Sequence, residues 1–149
     1  MSALSGIAAS PDPAASSLVA ALTRLQCGDF TARVPEETEG AAVFNAFAQM
    51  LGEFDSEMRR LARELGTEGR FGPQAEVSGT DGGWTTLVGD LNVMAANLTN
   101  QVRDIAQTTA AIARGDLPRK VTVGAEGEML GIKETLNGYL DRCNSGGGA

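Results

Sequence analysis

The chain of 149 residues has no histidine, only two cysteines and few aromatic residues: five Phe, one Trp and one Tyr. Histidine kinase dimerisation domains and histidine phosphotransfer domains need a phosphoacceptor histidine, so neither lies within this chain. Cys27 and Cys143 are too few and too far apart for a disulfide framework or a zinc site, which predicts free thiols. Because aromatic residues are scarce, any core is thin. Thin cores suit helical bundles that complete their burial by dimerising.

Long apolar runs and a basic charge balance are also missing. No run approaches the length of a membrane span, and the N-terminus lacks the basic and apolar blocks of a secretion signal. A net charge of −7 argues against nucleic acid and anionic membrane as partners, since either needs a basic face. No nucleophile, acid/base pair or metal-ligand cluster stands out. We therefore expect a cytoplasmic protein that is not an enzyme and binds no cofactor, metal, nucleic acid or membrane.

The most regular stretch of the chain begins near Trp84. Apolar residues at Trp84, Leu87, Leu91, Met94 and Leu98 are separated by alternating steps of 3 and 4, the seam of a coiled coil. Val102 then follows Leu98 by another step of 4, which is a stutter and predicts a change of packing phase. The helical pattern ends at Gly115 and Pro118, residues typical of a helix stop. A second seam begins at Met129.

This helix, connector, helix unit resembles the HAMP domain, a dimeric signal-relay module of sensor kinases and chemoreceptors. The resemblance is carried by LNVMAANLTNQVRDIAQTTAAIARGDLPRKVTV and by GEMLGIKETLN. It is closest to the soluble HAMP arrays of group III hybrid histidine kinases. The implied fold is all-α, with parallel four-helix coiled coils completed by a second copy of the chain.

An internal repeat extends the same arrangement towards the N-terminus. Gly28, Gly69 and Gly115 each end a predicted helix, at separations of 41 and 46 residues. We therefore expect three concatenated HAMP units, covering residues 16–57, 58–100 and 101–144, with the second unit divergent. The stutter recurs near Phe54 and Met58, so helices from Ala41 to about Leu65 and from Trp84 to about Arg114 are each predicted to serve two units. Residues 1–15 are expected to be a flexible leader, and 145–149 a linker or expression scar.

Within the connectors, apolar residues two and six positions after each glycine resemble the anchors that fix a HAMP connector to its bundle. These are Phe30 and Val34 in unit one, Phe71 in unit two, and Leu117 and Val121 in unit three; in unit two Ala75 occupies the sixth position, and Val77 is expected to substitute for it. Glu39 and Glu128 precede or open the second helices, where the family places a glutamate. An anion there is favoured by free amide groups and the helix dipole. Helix capping alone is the alternative role.

Two further sets of residues follow from the seams. The inter-unit junctions are Phe54, Met58, Leu98 and Val102. The dimer seam comprises Leu22, Leu25, Phe47, Met50, Leu87, Leu91, Met94, Ile105, Ile112, Met129, Ile132 and Leu136. A connector of about a dozen residues can extend to about 40 Å, so it can return along a helix of roughly 24 Å. Parallel helices within each unit are therefore within reach.

The expected function is signal relay without catalysis. A change of helix rotation, tilt or stability in one unit biases the next unit through the shared helix, towards a kinase or receptor output domain beyond the C-terminal end. One alternative is the corresponding segment of a chemoreceptor. Another, from a different class, is a structural dimeric coiled-coil spacer, although connectors that interrupt the heptads argue against it. The stimulus, the output domain and the active conformation are not encoded in these residues.

Overall fold

The computed structural model describes residues 12–117 and 119–146, and within them the chain forms four α-helices and no β-strand. The helices are α1 (Pro13–Gln26), α2 (Ala41–Gly66), α3 (Gly83–Ala113) and α4 (Gly127–Gly146). An irregular connector joins each helix to the next. The predicted all-α class with helix, connector, helix order is confirmed.

The two ends of the described chain are more helical than the sequence predicts. Asp12 accepts a hydrogen bond from the Ala14 amide at 3.0 Å, and Pro13 occupies the first helical position. Both are strong helix-start signals, and they place residues 13–15 in α1 rather than in a leader. At the other end, Ser145 and Gly146 belong to α4. The remaining residues of the expected leader and tail, 1–11 and 147–149, lie outside the described residues.

The connectors begin where glycine permits the backbone to leave the helix. Gly28, Gly69 and Gly115 have φ of +85°, +62° and +80°, a region that is costly for residues with a Cβ atom. After α1 the Asp29 amide donates to the Arg24 carbonyl, and after α3 the Asp116 amide donates to the Ala111 carbonyl. This pattern satisfies helix-end carbonyls. The φ-positive glycine lies two residues beyond α1 and α3 but three beyond α2, so the second connector differs at its start.

The described chain divides into two compact regions. The N-terminal region comprises residues 12–60 and 76–85; the C-terminal region comprises residues 61–75, 86–117 and 119–146. In the N-terminal region α1, the first connector and α2 share one core, formed by Ala21, Leu25, Ala32, Val34, Ala41, Phe44 and Ala48, with Leu18, Phe30 and Leu51 packed against it. Four of the seven buried residues are alanine, so the elements approach closely.

The C-terminal region is also built from small side chains. Its buried apolar residues are Leu61, Ala75, Val88, Ala95, Ala111, Val121 and Leu140. Two threonines are buried among them. The Thr99 hydroxyl donates to the Ala95 carbonyl at 2.7 Å, whereas the Thr108 hydroxyl has no hydrogen-bond partner. The neighbouring Thr109 is exposed and donates to the Ile105 carbonyl.

Candidate functional site

An asparagine of the following helix clamps each connector at the same position. The clamped residue lies six positions after the connector glycine, and it is Val34, Ala75 or Val121, each at most 3% exposed. Its amide donates to the asparagine Oδ1, and its carbonyl accepts from the asparagine Nδ2. The distances are 2.9 and 3.0 Å for Asn45 with Val34, 2.7 and 3.0 Å for Asn92 with Ala75, and 2.9 and 3.1 Å for Asn137 with Val121.

The clamps satisfy both backbone groups of a buried residue outside secondary structure. Such groups need partners because an unpaired buried amide or carbonyl costs about 1–3 kcal/mol. The carboxamide offers one acceptor and two donors, so it can pair like a neighbouring peptide. A carboxamide therefore supplies both groups, whereas aspartate lacks the donor and leucine lacks both groups.

The residues around each asparagine repeat as well. The segments are Phe44–Ala48, Leu91–Ala95 and Leu136–Leu140, reading FNAFA, LNVMA and LNGYL. The third residue after asparagine is buried in every segment, at 1% exposure or less. The second residue after it is apolar yet exposed: Phe47 at 41%, Met94 at 58% and Tyr139 at 46%. Each second helix therefore buries one stripe within the chain and leaves an adjacent apolar stripe uncovered.

The expected connector anchors lie at this clamp. Val34 and Val121 are buried, and Phe30, Phe71 and Leu117 are half-buried. In the second connector the structure differs from the expectation. Ala75, rather than Val77, occupies the buried and clamped position, and Val77 is only half-buried. Main-chain pairing with Asn92 fixes this position, so a small side chain suffices there.

The two expected second-helix carboxylates do not occupy equivalent places. Glu128 lies in the first turn of α4, whereas Glu39 precedes α2 by two residues, before the positive-φ Gly40. Glu39 lies six residues before Asn45, but Glu128 lies nine before Asn137. Both are exposed. Counting from the clamp shows that the equivalence expected between them does not hold.

Other carboxylates, which the sequence reasoning missed, bind connector amides instead. Glu57 Oε2 accepts the Glu76 amide at 3.0 Å and is paired with Arg60 at 2.7 Å. The hydrogen bond from Arg60, and then that from the Glu76 amide, hold the pKa of Glu57 below its ordinary value. Asp104 Oδ2 accepts two successive amides, those of Thr122 at 2.7 Å and Val123 at 2.9 Å.

One turn before Glu57, Glu53 makes a similar contact with the second connector. Its Oε2 accepts the Ser78 amide at 3.0 Å. The hydrogen bond from Gln49, followed by that from the Ser78 amide, lowers the pKa of Glu53. Glu53 and Glu57 thus lie on one face of α2 and bind alternate connector residues.

The expected seam and junction residues differ in burial within one chain. Leu25 and Met50 are buried. Half-buried are Leu91, Ile105, Ile112, Met129 and Leu136, together with the junction residues Phe54, Met58 and Val102. Leu22, Phe47, Leu87, Met94, Leu98 and Ile132 are exposed. An open groove lined by Ile105, Ile132 and Leu136 runs between α3 and α4. Phe47 of the expected dimer seam is exposed, and the core of this chain uses its neighbours Phe44 and Ala48.

In the described residues no three His, Cys, Asp or Glu side chains are grouped as a metal site would require. No helix found there is long and apolar enough to cross a membrane. Cys27 is exposed and Cys143 half-buried, and both are free thiols. The contacts that recur are those that hold connectors to helices, and these contacts are the candidate functional site.

Comparison with protein families identifies part of the chain. The model of the HAMP domain family matches residues 79–145. These residues are similar to a HAMP domain. The match takes in α3, the third connector and α4, including the clamp between Val121 and Asn137. A HAMP domain implies a signal-transduction relay module. No solved structure matches the chain significantly.

Proposed function

We propose that the chain is an array of three HAMP units, residues 16–57, 58–100 and 101–144, that relays conformational signals in the cytoplasm. The observation that carries this is the asparagine clamp, which recurs at Asn45, Asn92 and Asn137, always on a residue six positions beyond a positive-φ glycine. The third clamp lies within residues 79–145, which match the model of the HAMP domain family. Because the first two have the same geometry, they support the same kind of unit upstream.

The array functions as a parallel homodimer. Its support is the apolar stripe that one chain leaves exposed beside each clamp, with Phe47, Met94 and Tyr139 at equivalent positions. A helix that exposes apolar residues next to its buried stripe needs another partner. A second copy supplies the same stripe at the same height only when the chains run parallel, and two helices from each chain then form a four-helix bundle.

Long continuous helices give the array its means of transmission. α2 has 26 residues and α3 has 31, which is well above the usual length in globular proteins. Each of these two helices binds the connector before it through an asparagine and the connector after it through carboxylates, so a rotation applied to one unit reaches its neighbour without crossing a loop. The stutters near Met58 and Leu98 place successive units in different packing phases. The receiver is a C-terminal output domain, of the kind found in group III hybrid histidine kinases.

A fusion to a dimeric histidine kinase core tests this proposal. The full chain, residues 1–149, is joined upstream of the core, and autophosphorylation is compared between the parent and variants lacking three or four residues around Leu98. The relay predicts that such deletions switch or invert kinase output while circular dichroism stays helical. A control deletion of the same size at the N-terminal end of the full chain, within residues 1–11, leaves output unchanged. If output ignores the Leu98 deletions, the chain is a passive spacer and the relay proposal fails.

A further inference from the structure

The third connector is hydrogen-bonded to both of its helices. From α3 it is held by Asp104, through the amides of Thr122 and Val123, by Gln101 on the Gly124 carbonyl at 3.2 Å, and by Gln107 on Arg119. From α4 it is held by Asn137 on Val121, Lys133 on the Val123 carbonyl at 2.9 Å, Asp141 on Lys120 at 2.6 Å, and Asn144 on the Leu117 carbonyl at 3.2 Å.

The order of these contacts fixes directions. As the residue number in the connector rises from 119 to 124, the residue number of its partner in α3 falls from 107 to 101. As it rises from 117 to 123, the residue number of its partner in α4 falls from 144 to 133. The connector is therefore antiparallel to both helices, so α3 and α4 are parallel. The sequence predicts that direction from reach alone, and here the side-chain contacts determine it.

Both helices grip the same short segment, Val121–Val123. Asp104 binds its second and third amides, Asn137 binds both backbone groups of its first residue, and Lys133 binds its last carbonyl. Bonds to a carboxylate or an ammonium group are stronger than neutral ones. Sliding or rotating α3 against α4 requires some of these hydrogen bonds to break.

We propose that Asp104 and Asn137 make this segment a tie between the two helices of one protomer. The tie passes a displacement of α3 to α4 within the same chain, in addition to any transmission through the dimer seam. This rests on the proposed relay function and specifies which contacts carry the signal inside the third unit. Asp104 and Asn137 are positioning residues: they act on the helices through the connector backbone.

The first test is amide hydrogen exchange in Asp104→Asn. The variant keeps the shape of the side chain but removes the charge that two amides share. Exchange at Thr122 and Val123 is expected to accelerate about tenfold, with the helical amides of α3 and α4 unchanged. Asp116→Asn, with the same charge change in the same connector, is the matched control. Unchanged exchange at both amides contradicts the tie.

The second test measures coupling, with the rate of Cys143 disulfide formation between protomers reporting on α4. In a Cys27→Ser background, α3 is perturbed either by deleting residues 96–98 or by Leu98→Ala, the milder change should the deletion not fold. With the tie intact, the perturbation is expected to change the rate about fivefold or more. In the double variant Asp104→Asn, Asn137→Ala the same perturbation leaves the rate unchanged.

An equal rate change with the tie removed refutes the proposal, because the seam alone would then transmit. A chain that stays monomeric and forms no Cys143 link refutes the dimeric relay instead. In that event hydrogen exchange at Thr122 and Val123 still decides whether the connector is held as inferred. Failure of the tie and failure of the proposed function are therefore distinguishable.

Discussion

Replacing Asn137 by aspartate removes a hydrogen-bond donor and leaves the size of the side chain unchanged. The Val121 amide keeps its acceptor, but the Val121 carbonyl, which lies 3.1 Å from Asn137 Nδ2, then faces a carboxylate oxygen. Val121 is 2% exposed, so its carbonyl finds no water. Losing the bond and leaving this group unpaired costs about 2–3 kcal/mol at neutral pH. For a chain of this size the melting temperature falls by about 4–12 °C.

The cost depends on pH in a defined direction. When the introduced carboxyl group is protonated it regains the donor, so the folded state favours the neutral form and raises the pKa of that group. A group whose folded-state pKa is raised stabilises fully below its unfolded pKa and loses that stability as pH rises. The Asn137→Asp variant therefore approaches the stability of the parent in acid, and its deficit grows as the pH rises to neutral.

The assay is thermal unfolding of parent and variant at equal protein concentration, at several values between about pH 4 and pH 8. The difference between the two curves isolates the clamp, because other titrating groups are common to both proteins. Asn97→Asp makes the same chemical change at an exposed asparagine, and its effect should remain within about 0.5 kcal/mol at every pH. A deficit for Asn137→Asp that is constant across this pH range would refute the clamp.

Three further outcomes are expected. Glu57→Gln lowers stability at neutral pH but not in acid, since the lowered pKa of Glu57 gives stability that is lost as pH falls below 4.5. Melting temperatures of parent and variant across this acidic range measure the effect, and a difference between them that does not change with pH contradicts it. Phe44→Ala, in the core of the N-terminal region, costs about 3–5 kcal/mol by chemical denaturation, and a loss under about 1 kcal/mol would contradict that core. Mild oxidation links Cys143 to its mate faster than Cys27; efficient linkage of Cys27 to Cys143 between protomers would indicate antiparallel chains.

The bounds of the long helices follow closely from the sequence. The pattern predicts α2 from Ala41 to about Leu65, and the helix ends at Gly66; it predicts α3 from Trp84 to about Arg114, and the helix spans Gly83–Ala113. These bounds are accessible because the seams are long and a glycine stops each helix. The start of α1 is the exception. It depends on the single cap at Asp12, which lies in a proline-bearing stretch whose composition is typical of a leader.

The clamp could not be derived from periodicity. From the sequence, Asn92 and Asn137 are expected to lie on the surface or to set the helix register, because a polar side chain beside an apolar seam usually faces water. Only the tertiary fold brings a connector backbone within reach of the amide. A signal nevertheless exists, because one pattern of five consecutive residues occurs in all three second helices. The pattern is an apolar residue, asparagine, any residue, an aromatic residue or methionine, and then alanine or leucine. Aligning on asparagine rather than on helix starts would also have separated Glu39 from Glu128.

The sequence also does not determine which apolar stripe of a helix packs against its own chain. A heptad identifies which residues are apolar, but two adjacent stripes of α2 qualify, one containing Phe44 and Ala48 and the other Val43 and Phe47. The connector decides between them, since its Val34 packs against the first stripe. Val43, at 76% exposure, then remains on the outside of the single chain. Burial within one chain and burial between chains cannot be separated by pattern alone.

The mass of the folded chain in solution tests most directly whether these outer stripes meet a second copy. The chain has a mass of 15.4 kDa. Light scattering at micromolar concentration should give twice that mass, with a melting temperature that rises as the protein is concentrated. A folded monomer of 15.4 kDa, with a melting temperature independent of concentration, would contradict the account.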